Sequence, residues 1–185
     1  MGKIKILLIS DLHLGIEKIN SLISGEERLS TLKRIISLAQ KHNILLVAGD
    51  LINNENIDTK YFDILKEEFS SLIDNGKEIF YTPGPGELTS DGKLNPAISD
   101  IRTTFIFSDG KNNPMIKSSK GDVFIYGLQS KSSSNEWNIA RTVQKGFHIG
   151  LFHADFNPQI SGTPDTKIIK KDDIKKMNLD FYALG

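Results

Sequence analysis

Residues 4–13 read IKILLISDLH, an apolar run that ends in a carboxylate and an imidazole. The run Ile4–Ile9 has the length and composition of a buried strand rather than a helix. Asp11 and His13 are two positions apart, so on an extended segment their side chains point the same way and can meet one ligand. The stretch therefore predicts a strand that delivers two candidate metal ligands. The alternative is an aspartate that caps a turn beside a packed histidine.

Similar apolar runs recur along the rest of the 185 residues. They predict strands at Ile44–Ala48, Glu78–Tyr81, Thr104–Phe107, Val123–Tyr126, His148–Phe152 and Asp180–Leu184. Apolar residues at helical spacing predict two helices within 29–39 and 62–73, between the first three strands. The order strand, helix, strand, helix, strand favours an α/β fold with a site at the carboxyl ends of its strands.

Composition excludes several classes of protein. The 23 basic residues balance 23 acidic ones, so the chain has no global positive field to gather nucleic acid nonspecifically. It contains no cysteine, which excludes disulfides, cysteine-ligated zinc and thiol nucleophiles. The apolar runs are far shorter than the ~20 residues that span a bilayer. We therefore expect one domain over residues 1–185, no membrane association and a cytoplasmic location.

Chemistry-bearing residues follow three further predicted strands. Asp50 comes after Ala48-Gly49, Glu87 closes Thr82-Pro83-Gly84-Pro85-Gly86-Glu87, and His153 directly follows Phe152. A Gly-Asp pair alone is also typical of an ordinary turn. Taken together, however, these groups would place uncompensated charge at one sheet edge, and a bound cation removes that cost. Oxygen and imidazole ligands without sulfur suit Mn²⁺, Fe or Zn²⁺ better than Mg²⁺.

In order and spacing, these motifs resemble the calcineurin-like metallophosphoesterase superfamily, whose pattern is Asp-x-His, Gly-Asp, Gly-Asn-His-(Asp/Glu), a lone His and Gly-His-x-His. Within it, the segments 10–15, 48–51 and 179–185 resemble DNA repair exonucleases of the SbcD type. Those nucleases are partners of a coiled-coil ABC-type ATPase, and homodimers are common among them. The resemblance implies a layered α/β sandwich of two mixed β-sheets flanked by helices, with phosphoester hydrolysis, on DNA in the SbcD case, as its activity.

The resemblance also assigns roles to individual residues. It implies that Asp11 and His13 hold a first metal, that Asp50 bridges two metals as a catalytic residue, and that His153 binds the second. Such a pair of cations, of which Mn²⁺ is the expected identity, activates water and neutralises phosphate charge during in-line attack.

Two departures from the family pattern bear on activity. Pro85 stands where the family has a metal-ligating Asn, and Gly86 where it has the His that assists the leaving group. Glu87 has two interpretations: it keeps the acidic position of the motif in a loop or cap role, or it replaces a missing group as a catalytic residue or ligand. The second departure is that the sequence stops at Gly185, where Gly-His-x-His would continue, so we expect a domain incomplete at its C-terminus.

The number of remaining ligands determines how many cations we expect and leaves more than one function open. Three protein groups remain for the first metal, whereas only Asp50 and His153 remain for the second, so we expect at most one tightly bound cation. One hypothesis is a metal-dependent phosphoesterase, related to DNA exonucleases, with a degenerate site. The alternative is an inactive member of the fold that serves as a binding or assembly module. A receiver-like or flavodoxin-like domain fits only the first half of the chain.

Two aromatic side chains receive structural predictions. His148 lies five residues before His153, and this odd spacing turns the two histidines to opposite faces of a strand, so His148 is predicted to be a packed or surface residue. Trp137 is predicted to pack in the core rather than to stack on a base.

Overall fold

Strands and helices alternate in the first half of the chain, and strands predominate in the second half. The computed structural model describes residues 2–15, 24–52, 59–89, 91–108, 115–129, 137, 139–143, 145–156 and 167–185. The strands are β1 Ile6–Ile9, β2 Ile44–Ala48, β3 Glu78–Thr82, β4 Thr104–Phe105, β5 Phe107–Ser108, β6 Met115–Lys117, β7 Val123–Tyr126, β8 Leu128–Gln129, β9 Phe147–Phe152, β10 Ala154–Phe156, β11 Lys167–Ile169 and β12 Phe181–Leu184. The helices are α1 Gly25–Ala39, α2 Lys60–Asp74, α3 Pro96–Ser99 and α4 Lys171–Met177, and Pro85–Glu87 form one turn of 3-10 helix.

The first sheet has the order β1-β2-β3-β4, and its paired strands run parallel. Helices α1 and α2 make the connections between β1, β2 and β3, as the sequence predicts. Every residue of β2 is buried, because this strand has a neighbour on each side, a helical layer on one face and a second sheet on the other. The sheet therefore brings the loops after β1, β2 and β3 to one edge.

The second sheet has the order β12-β9-β7-β6 and is mixed, since only the β6–β7 pair is antiparallel. Its inner face packs on the first sheet through an apolar layer that includes Leu46, Phe80, Ile125, Ile149 and Leu151. Two short parallel pairs, β5-β8 and β10-β11, accompany the larger sheets. The predicted fold class, a layered α/β sandwich flanked by helices, is confirmed, but of the two sheets predicted to be mixed only the second one is, since the described strands of the first all run parallel.

Helices cover both sides of the sandwich. Helix α1 begins with a capping box between Ser24 and Glu27 and buries Leu32 and Ile36 beneath the first sheet. On the far side, Met177 of α4 packs in an apolar cluster with Trp137, whose ring meets Phe152 edge-on at a centroid distance of 5.1 Å. The predicted core role of Trp137 is confirmed. Within the described ranges, no helix is both long and apolar enough for a bilayer crossing.

Short strands account for most differences from the sequence prediction. The predicted strand Thr104–Phe107 is two strands separated by Ile106, whose N–H donates to the Tyr81 carbonyl at 2.8 Å. Strands β6, β8, β10 and β11 have two or three residues each, too few to produce a periodic pattern. The lysine-rich segment 167–176 begins as β11 and continues into α4, because the apolar Ile169 is buried under the second sheet.

Candidate metal centre

The ends of β1 and β2 continue side by side beyond the sheet and carry three of the predicted ligands. The Asp11 N–H donates to the Gly49 carbonyl at 3.2 Å, and the His13 N–H donates to the Asp50 carbonyl at 2.9 Å. Leu14 then forms a parallel bridge with Ile52. These bonds extend the β1–β2 register into the loops, so Asp11, His13 and Asp50 are held at one edge of the sheet.

All three of these ligand candidates adopt a left-handed backbone conformation. The φ angles are 55° at Asp11, 48° at His13 and 49° at Asp50. The sequence argument placed Asp11 and His13 on extended backbone, and this premise is wrong, although the two side chains do meet. A left-handed residue with a Cβ costs roughly 1–2 kcal/mol, and such residues persist where the surroundings over-determine them, often at functional sites. The paired loops provide that constraint here.

The ligand atoms of Asp11, His13 and Asp50 all lie within 4.8 Å of one another. His13 Nε2 is 3.9 Å from Asp50 Oδ2, and His153 Nε2 is 3.8 Å from the same oxygen. Thus one carboxylate oxygen lies between two imidazoles, and His153, which follows β9 of the other sheet, joins the three residues of the first sheet. The structure brings all four predicted metal ligands together.

These separations fit a shared cation better than direct hydrogen bonds. Each contact exceeds the range of an N–H···O hydrogen bond. Ligand atoms at about 2.0–2.2 Å from one cation can lie up to ~4.4 Å apart, which includes both measured distances. The side chains of His13, Asp50 and His153 are 34%, 22% and 12% exposed, so a cation or phosphate can reach them from solvent. Two carboxylates and two imidazoles are a donor set that suits divalent transition metals.

Two glycines allow the close packing of this centre. A Cβ on Gly49 would lie 2.3 Å from His153 Nδ1, and a Cβ on Gly84 would lie 2.1 Å from Asp50 Oδ1. Both separations are impossible for real atoms, so the imidazole and the carboxylate occupy space that only glycine leaves open. His153 Nδ1 is buried and has no hydrogen-bond partner among the described residues. The His153 ring is therefore held by its packing on Gly49, and Nε2 is the ring nitrogen that faces Asp50.

Comparison with known proteins agrees with this geometry. The sequence profile of the calcineurin-like phosphoesterases matches residues 4–183, nearly the whole chain. The chain belongs to the calcineurin-like phosphoesterase family. It is also 26% identical over 168 residues to the uncharacterized metallophosphoesterase YhaO of Bacillus subtilis (strain 168). That match covers 86% of this chain but only 40% of the relative, so the chain spans well under half of the length of the protein it resembles.

Glu87, the acidic residue of the altered phosphoesterase motif, is fully buried behind the metal centre. Its Oε1 accepts hydrogen bonds from the N–H groups of Leu51 at 2.8 Å and Ile52 at 3.0 Å, and from the Tyr81 hydroxyl. Its Oε2 accepts from the Gly84 N–H at 2.8 Å. One carboxylate thus ties the loop after Asp50 to the loop after β3. This geometry favours the loop role of Glu87 over that of a substitute ligand.

The buried pair of Glu87 and Tyr81 has shifted proton affinities. Burial raises the pKa of Glu87 to about 7, while the hydrogen bonds that it accepts from Tyr81, Gly84 and Ile52 oppose the shift. Burial and the neighbouring Glu87 charge raise the pKa of Tyr81 well above its ordinary value. Tyr81 was not singled out in the sequence. A tyrosine in a strand of buried residues is the signal that could have identified it, because its hydroxyl needs a partner there.

The 3-10 turn Pro85–Glu87 places the two altered motif positions next to Asp50 without supplying a donor atom. Pro85 is exposed and Gly86 is half-buried, and neither side chain has a nitrogen or oxygen. Among the described residues, Asp50 and His153 are therefore the donors that remain for a second metal. The finer resemblance to SbcD-type exonucleases stays a prediction.

Proposed function

We propose that this domain hydrolyses phosphoester bonds with a divalent cation held by Asp11, His13 and Asp50. The observation that carries the proposal is the position of Asp50 Oδ2, which lies 3.9 Å from His13 Nε2 and 3.8 Å from His153 Nε2. In a phosphoesterase, such a carboxylate can bind a cation together with the two imidazoles, which come from separate sheets. Membership of the family and the fit of the donor set support this function.

Each residue has a distinct task in the proposed reaction. A bound divalent cation would lower the pKa of water and neutralise charge on the phosphate. Asp11 and His13 would supply the first donor atoms to the cation. The Asp50 carboxylate lies between the imidazoles of His13 and His153. His153 closes the centre on the side of the second sheet, where only 12% of its side chain is exposed. The exposed side of Asp11 and His13 leaves room for the substrate.

The missing proton donor determines which substrates should react well. Pro85 and Gly86 offer no group to protonate a leaving oxygen, and loss of a general acid typically costs about 10²–10⁴ in rate. Esters with good leaving groups, such as nitrophenyl phosphates, need little protonation and should be affected least. We therefore expect a large preference for aryl over alkyl leaving groups.

We propose a phosphodiester of the DNA type as the biological substrate class and Mn²⁺ as the preferred cation. The support is the resemblance of the segments 10–15, 48–51 and 179–185 to SbcD-type nucleases. A coiled-coil ATPase partner, a homodimer and a cytoplasmic location belong to the same proposal. Because basic and acidic residues balance, any DNA contact would depend on local groups near the centre.

The test is hydrolysis of bis(p-nitrophenyl) phosphate and of a labelled DNA duplex, with Mn²⁺ and with EDTA. We expect release that depends on Mn²⁺ and falls on the order of 100-fold or more in Asp50→Asn, with loss of bound metal in a dialysed sample. Asp172→Asn is the matched control, because its side chain is 82% exposed on α4. Hydrolysis that survives EDTA, or an active Asp50→Asn variant, would contradict the proposal.

The second candidate function is an inactive binding or assembly module. It is favoured by Pro85 and Gly86, which replace both reactive side chains of one motif. Metal analysis after dialysis tests the ligand count for either function, and we expect at most one equivalent of cation per chain. A protein that binds this cation and DNA but cleaves neither diester substrate would favour the module.

A further inference from the structure

The Leu12–His13 peptide lies between the two candidate ligands that follow β1. The N–H of the Leu12–His13 peptide donates to the Asp50 carbonyl at 2.9 Å. The carbonyl of the same peptide, Leu12 O, accepts from Nη1 of Arg28 at 2.9 Å. The peptide is therefore held from both sides, on one side by the backbone of another ligand and on the other by a guanidinium group.

The orientation of this peptide determines where the ligands point. Asp11 and His13 flank Leu12, and both have left-handed backbone, which each residue adopts at a cost of roughly 1–2 kcal/mol. Rotation of the Leu12–His13 plane changes ψ of Leu12 and φ of His13 together, and so swings the imidazole relative to Asp50. A bond that fixes the carbonyl thus fixes the geometry of the centre.

Arg28 is well placed to supply a rigid bond of this kind. It lies in the first turn of α1, where its own N–H donates to the Ser24 carbonyl at 3.1 Å. The helix is anchored by Leu32 and Ile36 in the core. Arg28 Nε is buried and has no hydrogen-bond partner among the described residues, whereas Nη1 is held by its bond to the Leu12 carbonyl. A donor with a charge also makes a stronger bond than a neutral one.

We propose that Arg28 is a positioning residue of the metal centre, which holds the Leu12–His13 peptide so that Asp11 and His13 meet Asp50. The inference rests on the proposed function, because it concerns the site that would hold the cation. Outer groups that orient metal ligands typically contribute 10–100-fold to metal affinity. Arg28 lies outside every motif that the sequence analysis used.

The experiment measures Mn²⁺ affinity by calorimetry on the whole chain. Arg28→Met keeps an unbranched apolar stem but removes the donors, and we expect about 10–100-fold weaker binding. Arg28→Lys keeps a charged donor and should recover part of the loss. Arg34→Met is the matched control, since Arg34 is exposed on the same helix and should bind Mn²⁺ like the wild type.

Thermal unfolding in EDTA and steady-state kinetics separate positioning from other roles. A positioning role predicts that folded Arg28→Met has weaker Mn²⁺ binding and lower kcat at limiting Mn²⁺, with partial rescue by Arg28→Lys. An Arg28→Met variant that is less stable in EDTA yet binds Mn²⁺ normally would overturn the proposal in favour of a structural role. A higher KM with unchanged Mn²⁺ affinity would overturn it in favour of substrate contact. If the wild type itself binds no Mn²⁺, the proposed function fails as well.

Discussion

The two halves of the candidate metal centre differ in which of the family's residues they contain. The first half consists of Asp11, His13 and Asp50 on the paired loops after β1 and β2, and its donor atoms lie within 4.8 Å of one another. The second half consists of His153 and the turn after β3, residues 84–87. In that turn the positions that carry an Asn and a His in the family are Pro85 and Gly86. The first half has both the ligand side chains and the loops that hold them, whereas the second half has the loop but only one of its ligand side chains.

This contrast shows that loop geometry and ligand chemistry are specified by different residues. The turn at 84–87 is tied to the rest of the centre by Glu87, through four hydrogen-bond donors from the loop after Asp50, from Gly84 and from Tyr81. None of those bonds involves the side chains of Pro85 or Gly86. The shape of the second half can therefore survive the loss of its reactive groups.

Restoring the missing side chains should remove the difference between the two halves, and it has the largest expected effect of the tests. The double variant Pro85→Asn with Gly86→His should gain about 10²–10⁴ in turnover on alkyl phosphodiesters, because it regains the proton donor. It should also take up a second equivalent of Mn²⁺, with Asn, Asp50 and His153 as ligands. Gly86 lacks a positive φ, so histidine fits its backbone without strain. Stopped assays with DNA and metal analysis measure both effects.

The control for this variant is Pro85→Ala with Gly86→Ala, which makes the same backbone change without donors. It should match the wild type in rate and metal content. If the Asn-His variant behaves like this alanine control, the backbone of the second half does not support catalysis or a second metal. The two halves would then differ in more than two side chains.

Removing Glu87 tests whether its carboxylate holds the turn 84–87 against the loop after Asp50. Glu87→Ala leaves the N–H groups of Leu51, Ile52 and Gly84 and the Tyr81 hydroxyl without their acceptor inside the protein. We expect the free energy of unfolding in urea to fall by about 3–5 kcal/mol. Glu67→Ala, at an exposed site on α2, is the control and should change it by about 0.5 kcal/mol or less.

The cost of Glu87→Ala should depend on pH. Burial raises the pKa of Glu87 from 4.5 to about 7, so in this range the folded protein retains a proton that the unfolded chain releases. The free energy of unfolding of the wild type therefore falls as the pH rises through this window. The free energy of unfolding of Glu87→Ala does not fall in this way, because the variant has no carboxyl group at position 87. The difference in free energy of unfolding between wild type and variant should therefore be larger near pH 5 than near pH 8, by up to ~3 kcal/mol in EDTA. Equal deficits would mean that Glu87 ionises normally in the fold.

Much of the fold, and the meeting of the four candidate ligands at one edge of the first sheet, could be predicted from the sequence. Continuous apolar runs such as Ile44–Ala48 mark buried strands, and the residues after them must reach one edge of a parallel sheet. His148 illustrates the same logic, since its predicted packing is confirmed by full burial, a stacked contact with Phe124 and a hydrogen bond between Nδ1 and the Tyr126 hydroxyl. Periodicity carries this information because burial is a local property of each strand.

The remaining features depend on contacts between distant segments and could not be predicted in the same way. The left-handed backbone at Asp11, His13 and Asp50 follows from pairing of two loops that are about forty residues apart in the sequence. The role of Glu87 depends on donors from Leu51 and Ile52, and that of Arg28 on one carbonyl in another loop. Such pairings leave no periodic signal, so only the structure reveals them.

Gly84 links the two halves directly, and substituting it gives the smallest but sharpest test. Its φ of −85° is one that alanine adopts, so Gly84→Ala acts through the added methyl group, whose carbon would lie 2.1 Å from Asp50 Oδ1 and 2.9 Å from the Asp50 backbone nitrogen. Both the carboxylate and the backbone of Asp50 must move, and we expect Mn²⁺ affinity in calorimetry to fall about 10–100-fold. Gly2→Ala, with open space around its Cβ, should leave the affinity unchanged. Normal affinity in Gly84→Ala would mean that Asp50 can move without cost, and that the first half binds its cation independently of the turn after β3.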